Sequence, residues 1–267
     1  MKKIDLDESK SLQVSILENI HSFCEKNNLT YSLAYGALIG AIRHGGFIPW
    51  DDDIDIVMPR KDYTFFLMNY CDEKGIYKVH SLANDLDYKL PFAKVEDTRT
   101  ILKEKSSSGN HFGISIDVLP IDLMGVDMES SIKIVSRLKL LKFIYKGKLV
   151  IPNSRNSFIK KIGIWGIKIL AYPISLRYLA QLIDRKCSSI GVSDAKFLGC
   201  LCWGYEEHEI MPRSYFNEYT KIKFEGKEFF TFKDWNSYLT HLYGDYMKLP
   251  PEEKRCSPHE ITNMFWK

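Results

Sequence analysis

Hydrophobic residues recur at helical spacing near the start of the chain and alternate with polar residues in several later segments. The spacing of Leu12, Ile16 and Ile20 predicts an amphipathic helix over residues 8–26. Similar spacing predicts helices at 60–71, 128–146, 157–188 (interrupted by Pro173) and 234–243. Alternation predicts strands at 30–35, 77–82, 90–95, 112–119 and 197–203, and a hairpin of strands 219–224 and 227–232.

The stretch from Tyr35 to Arg60 organises the chain. It opens with Gly36, which connects the strand at 30–35 to a short apolar helix over 37–43. A strand–glycine–helix junction directs backbone N–H groups and the positive end of a helix toward one point, which favours an anion. Taken alone this signal is weak, and its value comes from the acidic segment that follows.

Four aspartates occur within residues 51–55 and lead into an apolar, strand-like segment at 54–58. Successive side chains of a strand point to opposite faces, so Asp53 and Asp55 are predicted to share one face. Two adjacent carboxylates repel each other unless a cation neutralises them or one is protonated. The pattern therefore suits a hard divalent cation with oxygen ligands, and Mg²⁺ is the usual choice beside phosphates.

A third carboxylate, Asp117, lies in the middle of the strand predicted at 112–119. Without the earlier motif, a lone strand aspartate would often be a solvent-facing residue. Asp51 has the same parity as Asp53, so whether Asp51 and Asp52 are ligands stays open. Asp122 lies beyond Pro120 and is predicted to be structural, for example as a helix cap.

Two other interpretations of the acidic segment compete with a magnesium site. The run could be an ordinary solvated loop, although such loops seldom lead into an alternating apolar segment. Its Asp-x-Asp-x-Asp spacing also resembles the start of a calcium-binding loop, but Ile56 stands where that loop requires glycine.

The composition is that of an ordinary globular protein, with 45% hydrophobic and 27% charged residues among 267, enough for one large domain or one and a half. The first ten residues have no apolar core after their lysines, so we expect no signal peptide. Six cysteines outside a secretory context are expected to be reduced thiols in a cytoplasmic protein. Cys200-x-Cys202 is a weak metal pattern, and burial in a strand explains it better.

The net charge of +3 conceals a strong asymmetry. Residues 132–186 hold thirteen basic residues and a single acidic one, Asp184, for a net charge of +12, so the rest of the chain carries −9. Such a block indicates an anionic partner. Its uncharged runs are far shorter than the roughly 20 residues of a membrane span. The segment could lie on an anionic membrane surface or pack as a helical subdomain with its lysines in water.

The motif from Gly36 to Arg60 closely resembles the LicD family of the nucleotidyltransferase superfamily, which is distantly similar to the fukutin and fukutin-related group. The resemblance continues at residues 117–122 (DVLPID), 224–226 (FEG) and 243–251 (YGDYMKLPP). It implies an α+β fold with a nucleotidyltransferase-type mixed β-sheet core flanked by helices and a basic helical insertion. We expect a catalytic core over 1–127, a basic helical subdomain over 128–190, and a part that completes the catalytic unit over 191–267.

The resemblance also implies an activity: transfer of phosphocholine from CDP-choline to a sugar hydroxyl of a surface glycan precursor (teichoic acid or lipopolysaccharide), with release of CMP. Asp53, Asp55 and Asp117 would be the catalytic and metal-binding residues, holding one or two Mg²⁺ ions. Asp117 would also help to deprotonate the acceptor hydroxyl. The remaining expected phosphate-binding residues are Gly36, Ala37, Arg43, Lys94 and Arg99. Each of the three basic residues could equally form a surface ion pair.

Ala37 departs from the serine or glycine of the superfamily, so a hydroxyl contact to phosphate is lost and the backbone N–H contact is retained. A choline group would need an aromatic cage, and the candidates are Trp50, Trp203, Tyr205, Trp235 and Tyr243. The basic block would suit a lipid-linked acceptor at the inner face of the cell membrane, where the protein would be peripheral.

Other functions stay open at this stage. Related enzymes would transfer glycerol phosphate or ribitol phosphate from a CDP donor to a capsule or teichoic acid glycan, or a nucleotide to a small acceptor. A nucleic-acid-binding role is disfavoured, because the basic block is apolar and helical and the aspartates would repel a phosphate backbone. An inactive scaffold is also disfavoured, because all three carboxylates are present.

Overall fold

The computed structural model describes residues 1–104, 112–150, 158–190, 193–256 and 261–267. The loop predicted at 105–110 lies outside these ranges. The helices are α1 (Leu6–Lys26), α2 (Tyr35–His44), α3 (Arg60–Asn69), α4 (Met128–Leu149), α5 (Phe158–Leu170), α6 (Leu176–Ser188) and α7 (Trp235–Tyr243). In the described part of the chain, no helix is both long enough and apolar enough to cross a bilayer.

Twelve strands occur among the described residues. They are β1 (Lys3–Ile4), β2 (Ser32–Leu33), β3 (Asp55–Pro59), β4 (Tyr77–His80), β5 (Ala93–Asp97), β6 (Thr100–Glu104), β7 (Ser115–Leu123), β8 (Phe197–Gly199), β9 (Met211–Pro212), β10 (Tyr219–Phe224), β11 (Lys227–Phe232) and β12 (Ile261–Trp266). The main sheet has the order β2-β3-β7-β5-β4, with β8 added to β7 and β9 to β8. β3 and β7 are parallel, whereas the other pairs are antiparallel, so the sheet is mixed. This confirms the predicted α+β fold with a nucleotidyltransferase-type core.

The parallel pair of β3 and β7 forms the centre of the core. Ile56 and Val118 lie opposite each other in this pair and are fully buried. The backbone N–H of Asp117 donates to the carbonyl of Ile54 at 3.0 Å, which fixes the register where the two strands begin. Helices α1 and α3 pack against this sheet. Asp55 and Asp117 are therefore held next to each other at one edge of a well-packed core.

Two boundaries near the acidic motif differ from the prediction. β3 begins at Asp55, so Asp53 lies in the preceding loop and the prediction that strand alternation puts Asp53 and Asp55 on one face is wrong. β7 continues through Pro120 to Leu123. Proline is tolerated there because its nitrogen points away from β3, toward an edge where β5 has ended at Val118 and β8 has not yet begun.

The helices α4, α5 and α6 pack together beside this sheet, with α6 in contact with β7. Arg60 fixes this arrangement: its guanidinium donates to Asp122 at 2.6 and 2.8 Å and to Asp184 of α6 at 2.7 Å. Asp122 is buried, so this bidentate pair supplies the charge compensation that it needs. Asp122 thus has a structural role, as an ion-pair partner within β7 rather than as a helix cap.

Candidate active site

Helix α2 begins beside the acidic loop. Tyr35, its first residue, has a positive φ of 49°, a conformation that is rare for a bulky residue and is concentrated at functional sites. Ala34 precedes the helix without a side-chain cap, and the backbone N–H groups of the first turn, which includes Gly36 and Ala37, favour an anion. The carboxylate of Asp51 lies against Gly36, in the space that a β-carbon would occupy.

The acidic loop is compact. The carboxylates of Asp51, Asp52 and Asp53 each offer an oxygen within 4.8 Å of the others. The backbone of this loop is held from two sides: Gln13 of α1 donates through Nε2 to the carbonyl of Asp52 at 2.7 Å, and the N–H of Asp51 donates to the carbonyl of Ile48 at 2.9 Å. The loop is thus fixed by its backbone, and its three carboxylates lie close together.

The strands add two more carboxylates and a cation. Asp55 and Asp117 lie directly opposite each other in the parallel pair, and Lys94 of β5 lies opposite Asp117 on its other side. The Lys94 ammonium donates to Asp117 Oδ1. Burial raises the pKa of Asp55, and the negative charges of Asp53 and Asp117 raise it further. The fold therefore brings Gly36, Asp53, Asp55, Lys94 and Asp117 together.

The other two basic candidates have protein partners. Arg43 donates through Nη1 to the carbonyl of Tyr246 at 2.7 Å and through Nε to His44 at 3.0 Å, so it ties the end of α2 to the 243–251 motif. Arg99 pairs with Asp97 and lies 5.2 Å from the Trp266 ring centre. It follows the end of β5, away from the acidic loop, and this placement favours the ion-pair alternative over contact with phosphate.

An aromatic wall stands next to the carboxylates. The rings of Tyr205 and Tyr243 meet edge to face at 5.6 Å, with their hydroxyl oxygens 3.3 Å apart, and Tyr35 lies 5.7 Å from Tyr205. Burial raises the pKa of Tyr205, and the nearby charges of Asp55 and Asp53 also raise it. The tyrosines among the sequence candidates are thus beside the acidic residues.

The tryptophan candidates lie in other surroundings. Trp203 packs against Phe92 at 5.2 Å and lies under the ammonium of Lys146. The Trp50 ring lies 6.5 Å from the ring of His44 and 5.8 Å from the guanidinium of Arg255. Trp235 begins α7 and packs on the main core. Of the five aromatic candidates, Tyr205 and Tyr243 therefore fit a cage at this site best.

Buried Glu209 supports the aromatic wall from behind, and the sequence analysis missed it. Its carboxylate accepts hydrogen bonds from the Tyr35 hydroxyl at 3.1 Å, the Tyr205 N–H at 3.0 Å and the Cys200 N–H at 3.2 Å. Burial raises the pKa of Glu209. Nothing in the sequence distinguishes it from Glu207, which is exposed, because only the folded chain shows what surrounds each carboxylate.

The FEG segment at 224–226 supports the opposite side of the site. Glu225 Oε1 accepts from the N–H of Phe47 at 2.9 Å, and the N–H of Glu225 donates to the carbonyl of Gly45 at 2.9 Å. The Glu225 side chain occupies the space of a β-carbon at Gly46. The hairpin of β10 and β11 thereby holds the turn between α2 and the acidic loop.

The fold and this cluster define a protein with a nucleotidyltransferase-type core. Residues 28–136, which include both the acidic loop and Asp117, match the family model described as LicD/FKTN/FKRP, nucleotidyltransferase domain. Over 276 aligned residues the chain is 33% identical to the lipopolysaccharide cholinephosphotransferase LicD of Haemophilus influenzae, and the alignment covers 99% of each protein. The chain therefore belongs to the LicD family.

Shorter similarities involve two uncharacterized rickettsial proteins. One, from Rickettsia typhi, is 37% identical over 67 residues, which is 25% of this chain and 22% of that protein. The other, from Rickettsia prowazekii, is 38% identical over 63 residues, or 23% of this chain and 24% of that protein.

Proposed function

We propose that this protein is a phosphocholine transferase that moves phosphocholine from CDP-choline to a hydroxyl of a surface glycan and releases CMP. Its similarity over the full length to a lipopolysaccharide cholinephosphotransferase supports this class of reaction. The observation that carries the proposal is the pairing of Asp55 with Asp117 beside the acidic loop and the first turn of α2. That arrangement offers one place for cations and the phosphates that they neutralise.

Mg²⁺ is the cofactor that the donor set fits. Carboxylate oxygens are the ligands that this ion prefers, and Asp53, Asp55 and Asp117, with Asp51 beside them, would hold one or two ions. Burial raises the pKa of Asp55 and the negative charges of Asp53 and Asp117 raise it further, while Lys94 lowers it; a bound divalent cation would stabilise these carboxylates in their charged form. When bound, Mg²⁺ would neutralise the diphosphate of the donor.

The remaining groups of the site orient the reactants. The N–H groups of Gly36 and Ala37 would bind phosphate oxygens, and the ammonium of Lys94 would add positive charge beside them. The acceptor oxygen would attack the phosphorus that carries choline, the bond from that phosphorus to the CMP oxygen would break, and the proton of the hydroxyl would pass to Asp117. Phosphoryl transfer of this kind needs positioning and charge neutralisation more than covalent help.

Tyr205 and Tyr243 favour choline over other alcohols. A quaternary ammonium is attracted to the faces of aromatic rings, and the nearby charges of Asp55 and Asp53 add to the negative potential. Glycerol and ribitol carry no positive charge and would gain nothing from these rings. A CDP-glycerol or CDP-ribitol donor would therefore contradict the choline part of the proposal and leave the reaction class intact.

A release assay tests both parts. Purified protein is incubated with CDP-choline, CDP-glycerol or CDP-ribitol, with and without Mg²⁺ and a glycan extract, and CMP is quantified. We expect CMP from CDP-choline alone, dependent on Mg²⁺ and stimulated by the extract. Asp53→Asn and Asp55→Asn should each lower the rate by about 100-fold or more while the fold is retained. Full activity in both variants would overturn the assignment of the site.

A further inference from the structure

Helix α5 is apolar on two opposite faces. On one face Ile164 is buried and Ile167 packs on Gly147 of α4, and Ala171, just past the end of the helix, is buried as well. On the other face Ile162, Trp165 and Ile169, which the three- and four-residue spacing aligns, are exposed to 56%, 58% and 69%. An apolar helix face is normally buried against a neighbour, and no part of the chain that the structure describes covers the outer face of α5.

Further exposed apolar residues lie on α4, which packs against α5, and just past the end of α5. On α4, Leu140 and Phe143 are 69% and 61% exposed, while the opposite face packs inward through Val135, Leu138 and Tyr145. Beyond Trp165, both Leu170 and Tyr172 are 84% exposed. Large exposed apolar side chains concentrated on two packed helices are typical of an interaction site. We call the surface formed by Leu140, Phe143, Ile162, Trp165, Ile169 and Leu170 the docking face.

The charges around this surface select the partner. The docking face lies within the segment that carries +12, and Lys133 and Arg137 of α4 are exposed, Lys133 as the partner of exposed Glu129 at 2.6 Å. The single acidic residue of the segment, Asp184, is bound to Arg60. A second copy of the chain would bring the same positive charge against itself, which is repulsive. An anionic surface would be attracted, and each Lys or Arg near an anionic bilayer contributes about 1 kcal/mol.

We propose that the docking face binds an anionic phospholipid bilayer, with α5 lying in the plane of the headgroups. Basic residues beside Trp, Phe and Leu are the composition of helices that lie in a membrane interface, and tryptophan is enriched at that depth. Lys148 of α4 fixes the chain just past the end of α5, because its ammonium donates to the carbonyls of Ala171 and Ile174. The helix is thus anchored to α4 before any lipid is bound.

The docking helices are connected to the candidate active site. Lys142 of α4 donates to the carbonyl of Leu201 at 3.2 Å, and Lys139 pairs with Glu206 at 3.4 Å. Both partners lie in the segment that carries Tyr205. A bound membrane would therefore face the same helix that supports the aromatic wall, which suits a glycan acceptor carried on a lipid. This consequence for the acceptor rests on the proposed function, whereas binding to the bilayer does not.

Vesicle flotation with the full-length protein tests the proposal. The probes are vesicles of phosphatidylcholine alone and vesicles in which roughly one third is phosphatidylglycerol. We expect the protein to float with the anionic vesicles and to bind the neutral ones about tenfold more weakly. Trp165→Ser combined with Ile169→Ser, and separately Lys133→Glu combined with Arg137→Glu, should each weaken binding by about tenfold or more.

The matched control is Met68→Ser combined with Leu86→Ser, because these residues are 78% and 85% exposed and lie outside the docking face. Its binding should equal that of the wild type. Circular dichroism and thermal melting verify that each variant is folded. The proposal is overturned if the wild type ignores anionic vesicles, if the docking-face variants float as well as the control, or if light scattering shows a dimer that Trp165→Ser abolishes.

CMP release from CDP-choline with a soluble glycan is measured on the same samples. The docking-face variants should retain that rate, because none of the substituted residues lies near the carboxylates. A protein that floats but releases no CMP from CDP-choline would contradict the proposed function and leave the membrane surface intact. A protein that releases CMP from CDP-choline but does not float would contradict the membrane surface and leave the proposed function intact.

Discussion

The carboxylate of Asp51 lies against the α-carbon of Gly36, so the loop that carries the aspartates and the helix that offers N–H groups meet where position 36 has no side chain. This contact puts the negative charge of the Asp51 carboxylate against the positive N-terminal end of α2. It also makes the space at Gly36 a condition for the geometry of the site.

Gly36→Ala should therefore leave the fold intact and abolish most of the activity. The β-carbon would displace the end of the Asp51 side chain, which can rotate away at little cost, and alanine is a better helix former than glycine. A displacement of about 1 Å in a catalytic group can cost 100-fold in rate. We expect an unchanged or slightly higher melting temperature and a loss of transferase activity of about 100-fold, measured by CMP release.

Gly40→Ala is the matched comparison on the same helix. A β-carbon there would meet the carbonyl of Gly46 and lie 3.1 Å from the backbone N of Ile48, and backbone cannot rotate away as a side chain can. This variant should lose about 1–3 kcal/mol of stability in urea denaturation. An equal effect of both substitutions on stability would contradict the distinction between the two positions.

Gln13→Met tests whether α1 positions the acidic loop. The side chain of Gln13 is buried and donates to the carbonyl of Asp52, and methionine keeps its volume without the donor. Loss of an outer hydrogen bond around a metal site typically costs 10–100-fold in metal affinity or activity. We expect the Mg²⁺ concentration for half-maximal rate to rise by about tenfold. A purely structural role would lower stability and leave the Mg²⁺ dependence unchanged.

Tyr205→Leu tests the aromatic wall. Loss of one cation–π contact of about 0.5–2 kcal/mol should raise the KM for CDP-choline by about 2- to 30-fold. Tyr205→Phe keeps the ring and loses only the hydroxyl that lies 3.3 Å from Tyr243, so it should restore most of the affinity. If both variants bind CDP-choline alike, the ring is not part of the choline site.

Elements that form from local sequence could be predicted, whereas elements that depend on pairing between distant segments could not. The hairpin of β10 and β11 matches its prediction at every boundary, because two short runs rich in aromatic and β-branched residues flank the turn Glu225-Gly226. β1 and β12 were not predicted, since Lys3 pairs with Phe265 across the entire chain and neither segment is distinctive alone. Periodicity could suggest that Asp55 and Asp117 lie on strands but not that the strands are neighbours, and for that the family resemblance was needed.

Beyond the active site, His80 links stability to pH. Its ring is buried, with Nδ1 at 2.7 Å from Asp85 and Nε2 at 2.9 Å from Glu96. Burial and the positive charge of Lys78 both lower the pKa of His80. The hydrogen bonds to Glu96 and Asp85 outweigh them, so the pKa of His80 is raised. The ring stacks on Tyr88 and packs against Phe112, so the His80 ring itself has little access to water.

A raised pKa in the folded state gives stability that is complete below the unfolded value of about 6.5 and is lost as pH rises through the folded value. The stability difference between wild type and His80→Gln, from urea denaturation, should thus be largest below the unfolded pKa of about 6.5 and shrink as the pH rises above it. His241→Gln should show the opposite trend, because burial lowers the pKa of His241 and its protonation therefore destabilises the fold as pH falls. Parallel pH dependence in the two variants would exclude the Asp85–His80–Glu96 cluster as the source of the effect.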